Sequence, residues 1–212
     1  MAAHTNKTET AGRDARAVVP DPPRVAWRKH MRQRVLDAAR DLACAAGWDQ
    51  VSLSAVAAAA EVSRPSVYKE FGNRAGLGRA LVVRETREFL ESVAQALYPG
   101  FPDTRASLEA AVFFVLTEAD RNPLIRAVVM AAREGSDSLL PYLTARADPI
   151  FEAAQGLLRA WLAERFPERD EELIDMAADI AVRMTISHLL LPGADPQLTA
   201  KRLSLAVLKV LQ

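Results

Sequence analysis

Between residues 52 and 74 the chain gathers hydroxyl and cationic side chains at short spacing: Ser52, Arg64, Ser66, Tyr68, Lys69 and Arg74. Their shared chemistry is recognition of anions and of polar base edges. Lys69 and Arg74 suit neutralisation of phosphates, while Ser52 and Tyr68 can donate hydroxyl hydrogen bonds to phosphate oxygens. Arg64, Ser66 and Tyr68 are of types that read a groove, Arg and Ser at base edges and the ring at a thymine methyl. Tyr68 suits packing against a preceding helix equally well, and the two roles are compatible. Upstream, Arg24, Arg28 and Lys29 can reach a phosphate backbone or a minor groove.

Two very short helices must position these groups. Ser52 is placed to cap the first, in which Leu53, Val56, Ala57 and Ala60 form one apolar face whose alanines let a neighbour approach closely. A tight turn follows at Glu61-Val62-Ser63. Ser63 caps the second helix, which tolerates Pro65 in its first turn and directs Val67 and Phe71 inward. The pair, joined by a three- to four-residue turn, reads as a helix-turn-helix whose second member enters a major groove. A longer helix precedes it, with Met31, Val35, Leu36, Ala39, Leu42, Ala43 and Ala46 at three- and four-residue spacing up to Gly47.

The run Leu53-x-x-Val56-Ala57-x-x-Ala60-x-Val62-Ser63, followed by Val67-Tyr68-x-x-Phe71-x-Asn73-Arg74-x-x-Leu77, resembles the TetR family of bacterial transcriptional regulators over about residues 28–80. The resemblance implies a DNA-binding domain followed by a ligand-binding and dimerisation domain. It also implies a ligand-responsive repressor that binds a palindromic operator as a homodimer through its last two helices. Glu61 departs from the pattern, since the family most often has glycine in the turn. A left-handed backbone there costs a non-glycine residue about 1 kcal/mol, and the carboxylate repels nearby phosphate.

The remainder of the chain reads as helical, and alternating β-branched stretches are hard to find. The expected fold is all-α with about nine helices: residues 1–23 a mobile tail, 24–75 the helix-turn-helix domain and 76–212 the ligand-binding and dimerisation domain. Asn122-Pro123 and Asp195-Pro196 mark helix starts; Pro99-Gly100, Gly135, Phe166-Pro167 and Pro192-Gly193 mark ends. Pro149, within an otherwise helical stretch from about Ser138 to Arg165, predicts a kink or break.

Charge sums to zero over 212 residues, but residues 1–75 carry +4 and residues 76–212 carry −4, so the basic surplus lies with the helix-turn-helix. That balance argues against a sequence-independent DNA-coating protein, which is usually strongly basic. An α-helical enzyme lacks support: no Gly-x-Ser-x-Gly, phosphate loop or His-Glu-x-x-His occurs, and His4, His30 and His188 are scattered. No cofactor or metal is expected. The acidic group Asp170, Glu171, Glu172, Asp175 and Asp179 reads as a solvated helix start. The lone Cys44 cannot form an internal disulfide and is expected as a small buried core residue. No apolar run approaches the roughly 18 residues of a membrane span, and no signal segment is evident, so the expected location is the cytoplasm.

Leu173, Met176, Ala177, Ile180, Met184 and Leu191 form one expected stripe, and the last helix carries Leu198, Leu205, Val207, Leu208, Val210 and Leu211 over more than one face, which calls for two partners. Candidate effector contacts are Phe89, Phe113, Leu116, Thr117, Phe151, Met184 and His188. Their low charge favours an apolar effector such as a long-chain fatty acid or related lipid.

Overall fold

The computed structural model describes residues 22–98, 103–122, 148–193 and 195–212. Eight α-helices are present among them: α1 Pro23–Ala46, α2 Leu53–Ala59, α3 Arg64–Phe71, α4 Arg74–Leu97, α5 Thr104–Arg121, α6 Asp148–Arg165, α7 Glu171–Leu190 and α8 Pro196–Val210. A single 3-10 turn, Trp48–Gln50, joins α1 to α2. The described residues contain no strand, in keeping with the all-α expectation. The expected tail up to residue 21, the helix expected after Asn122-Pro123 and the end expected at Gly135 lie outside the described residues.

Local chemistry accounts for most helix starts. Ser52 accepts from the Ala55 N–H at 3.1 Å, Asn73 from Gly76 at 2.9 Å and Asp195 from Leu198 at 3.1 Å. Asp103 caps α5 through the Ala106 N–H. Each side-chain cap supplies an acceptor for a first-turn donor, worth about 1 kcal/mol. Pro149 lies at the edge of the described part of α6; the stretch before it, with the kink or break expected there, lies outside the described residues.

Two apolar clusters form. Met31, Val35, Ala39, Trp48, Val56, Val67 and Phe71 enclose the first, which also draws Leu77 and Leu81 from α4. Leu97, Leu108, Val112, Trp161, Leu162, Ala177 and Leu203 belong to the second. Helix α4 therefore starts in one core and ends in the other. Around the second core α5 packs on α4 and α8, and α7 lies against both α6 and α8.

Two sequence expectations change. Cys44 is exposed, because its neighbour Ala43 takes the buried position and the next residue turns about 100° away from it. The stripe expected on α7 divides: Ala177 faces the core together with Ala178 and Ala181, whereas Met176, Met184 and Leu191 are exposed. Ile174 joins the alanines in the core and Leu173 and Ile180 pack partly against it, so of the expected stripe it is Met176, Met184 and Leu191 that are left outside.

Candidate nucleic-acid interface

The turn between α2 and α3 sets the angle of the second helix. Glu61 has φ +52°, and the Glu61 N–H donates to the Ala58 carbonyl at 3.1 Å while the Val62 N–H donates to that of Ala57 at 2.9 Å. These two bonds form a Schellman closure, which places Glu61 at the position glycine favours. Its carboxylate accepts from Arg34 Nη2 at 3.1 Å, so the negative charge at the turn carries a cation beside it.

Beyond the turn, Ser63 Oγ accepts from the Ser66 N–H at 3.3 Å, and the two serine hydroxyls lie 2.8 Å apart. Val67 and Phe71 are buried, and Arg64, Tyr68 and Lys69 stand outward and exposed. Arg64 and Tyr68, four residues apart, share one face. Ser66 is half-buried, its hydroxyl joined to the cap, and Ser52 is an exposed cap of α2.

The last turn of α3 is braced from α1. Arg28 Nε donates to Glu70 Oε2 at 2.7 Å and Arg32 Nη1 to Glu70 Oε1 at 2.8 Å, leaving the Glu70 side chain 8% exposed. Burial alone would raise the Glu70 carboxyl, but the bonds and charges of the two guanidiniums win and hold it below the ordinary glutamate range. Arg32 also lies 5.1 Å over the Phe71 ring. Glu70 was not a sequence candidate, although arginines four apart on α1 were the available signal.

Arg74 is engaged within the protein. Its Nη2 donates to the Trp48 carbonyl at 2.8 Å and to Asp49 at 2.9 Å, and its guanidinium covers the Trp48 ring at 5.6 Å. The ring rests on Gly78, where a Cβ would come within 2.7 Å of it. Arg74 thus fixes the 3-10 turn that leads into Ser52 and α2.

A second ionic group joins α1 to α4. Arg84, with a side chain 6% exposed, donates from Nη1 to Asp37 at 2.6 Å and from Nη2 to Glu85 at 2.7 Å; Arg40 donates to Glu85 at 3.1 Å. Burial opposes the Arg84 charge, and the two carboxylates more than offset it. At the other end of α4, Trp161 Nε1 donates to the Leu97 carbonyl at 3.2 Å and the Tyr98 hydroxyl donates to Glu164 at 3.3 Å. The helix is anchored to α1 at its middle and to α6 at its end.

The seven candidate effector residues fall on two helix pairs. Phe89 stacks on Phe114 with centroids 5.9 Å apart, joining α4 to α5. Phe113 is exposed, Leu116 is buried in the second core, and the Thr117 hydroxyl donates back to the Phe113 carbonyl at 2.9 Å. On the other pair, Phe151 of α6 lies under Arg183 of α7 at 4.5 Å, Met184 is exposed and His188 half-buried. Among the described residues no group of three or more His, Cys, Asp or Glu is placed to hold a metal, and no helix is long and apolar enough to cross a membrane.

Comparison with known proteins agrees with this arrangement. Residues 35–81 match the model of bacterial regulatory proteins of the tetR family, and residues 103–209 match that of the bacterial tetracyclin repressor C-terminal domain. The chain is similar to the HTH-type transcriptional regulator AlkX of Mycobacterium tuberculosis, with 26% identity over 167 residues, 79% of this chain and 78% of that one. It is also similar to the crystal structure of the TetR-family repressor AlkX from Dietzia sp., implicated in biodegradation of n-alkanes. That structure is 30% identical with a TM-score of 0.65, over 85% of this chain and 95% of the other. The fatty acid degradation regulator FadR from Bacillus halodurans shares the fold, with a TM-score of 0.59 at 16% identity over 90% and 97% of the two chains.

Proposed function

Since the chain belongs to the TetR family of bacterial regulatory proteins, and is a transcriptional regulator rather than an enzyme, we propose that it is a repressor released from a palindromic operator by a small hydrophobic effector. The observation that carries this reading is the outward face of α3, with Arg64, Tyr68 and Lys69 exposed and Glu70 neutralised beside them. In this reading Lys69 and Tyr68 bind phosphates, Ser52 presents its cap end to the backbone, and Arg64 with Ser66 reads base edges. Arg74 contributes by holding the turn before α2, and through it the position of Ser52.

Residues 24–75 form the DNA-binding unit and residues 76–212 the effector and dimer unit. A homodimer joined through α7 and α8 sets two α3 helices about 34–36 Å apart, one major groove per protomer. Support comes from exposed Met176, Met184, Leu198 and Leu205 on these two helices and Leu191 at the end of the first, apolar side chains that a second subunit would cover. Effector binding acts through α4. Tied to α1 by Arg84 and to α6 by Trp161 and Tyr98, this helix carries a displacement from one core to the other, shifting the population toward a spacing that no longer fits successive grooves.

For the effector class we propose a long-chain fatty acid or related lipid. The Dietzia repressor's link to n-alkane biodegradation supports it, as does the aromatic contact of Phe89 with Phe114 beside the linking helix. Anisotropy of a labelled duplex titrated with the protein, with and without such a lipid, tests the proposal; DNA affinity unchanged by every long-chain lipid tried would refute the effector class.

A further inference from the structure

The inward stripe of α1 is longer than the core it serves. Trp27, Met31, Val35, Ala38 and Leu42 recur at four- and three-residue spacing, and burial begins only at Met31. Trp27 lies one turn beyond, 61% exposed, with Val25 exposed two residues earlier. The first two turns of α1 therefore overhang the three-helix body. Residues 22–30 hold Arg24, Arg28 and Lys29 and no carboxylate; Arg28 is paired with Glu70 of α3, and the overhang keeps a cationic surplus beside its apolar side chains. Its position relative to α3 is fixed, because Arg28, next to Trp27, bonds Glu70 at 2.7 Å, and Glu70 adjoins the exposed Lys69.

We infer that this overhang, centred on Trp27, is a second DNA-contacting surface that packs on the sugar-phosphate backbone beside the groove entered by α3. The inference rests on the DNA-binding reading above and adds a contact to it. An exposed indole flanked by cations matches a backbone of alternating apolar sugar and anionic phosphate. Its flat face covers deoxyribose C–H groups and its Nε1–H can donate to a phosphate oxygen, while Arg24 neutralises charge alongside. Such a contact raises affinity without reading sequence, and it fixes the register of α3 in the groove.

Tryptophan emission gives a direct test, since Trp48 and Trp161 are 3% and 0% exposed and only Trp27 is open to a neutral quencher. The full chain would first be used to enrich a duplex from a randomised pool. Saturation with that duplex should cut acrylamide quenching severalfold in the wild type. Trp27→Phe should abolish the quencher-sensitive emission. Trp27→Ala should bind the same duplex about tenfold more weakly, as expected for losing a buried indole face, with its ranking of duplexes unchanged. Unaltered quenching in the complex, or unimpaired binding by Trp27→Ala, overturns the inference and leaves the DNA-binding reading standing. So does protection of Trp27 already present in the free protein and lost on deleting residues 1–21, which would make the chain's own segment the occupant. Failure to enrich any duplex overturns both.

Discussion

Lys69 and Glu70 are neighbours of opposite sign on α3, and the fold treats them in opposite ways. Lys69 is exposed, whereas Glu70 is enclosed between two α1 guanidiniums. Lys69→Ala is therefore expected to weaken duplex binding across sequences and to reduce the salt slope by about one, with helicity and dimerisation unchanged; binding titrations at several salt concentrations check this. Tyr68→Ala should also weaken binding, and Arg64→Ala should change sequence preference as well. Glu70 has a pH signature. Its folded carboxyl titrates below the ordinary glutamate range, so the stabilisation is complete above the unfolded value and is lost as pH falls through the lowered one. Glu70→Gln should flatten that acid limb in urea midpoints measured against pH. The exposed trio was legible in the sequence because one residue type at one helix position settles which way it faces. The Glu70 brace and the engagement of Arg74 were not, because each joins elements whose packing no local spacing encodes.

At the scale of elements, the close approach of α4 to the 3-10 turn depends on Gly78. Gly78→Ala puts a Cβ against the Trp48 ring and should destabilise the protein by about 1–3 kcal/mol, measured by urea unfolding, because the ring is enclosed and must shift as a whole. The latch between α1 and α4 is ionic and nearly dry. Arg84→Met leaves Glu85, 10% exposed, with Arg40 alone and should cost about 2–3 kcal/mol, toward the low end for a broken buried pair because Asp37 is half-exposed. Helix starts were readable from local chemistry: Ser52, Ser63 and Asp195 bond their own first turns. The face of α7 was not, since alanines and methionines look alike in an apolar pattern, and only close packing decides which of them turn inward.

For the whole molecule, the TetR motifs made the DNA-reading end legible because the geometry of a groove fixes residue types at fixed offsets. Apolar side chains that could meet an effector carry no such fixed offsets and look the same as ordinary core; Leu116 and Thr117, expected at the effector, are engaged in core packing and a backbone hydrogen bond. The proposed association of two chains through α7 and α8 predicts that Leu198→Glu combined with Leu205→Glu yields a monomer by light scattering, with operator affinity falling because each half-site is then bound separately. In the proposed function an apolar molecule in one core governs DNA binding by the other. The most direct measurement is anisotropy of a labelled duplex enriched by the protein itself, titrated with the full chain in the absence and presence of a long-chain fatty acid. Tight binding that the lipid releases is the predicted result; tight binding indifferent to the lipid would contradict it.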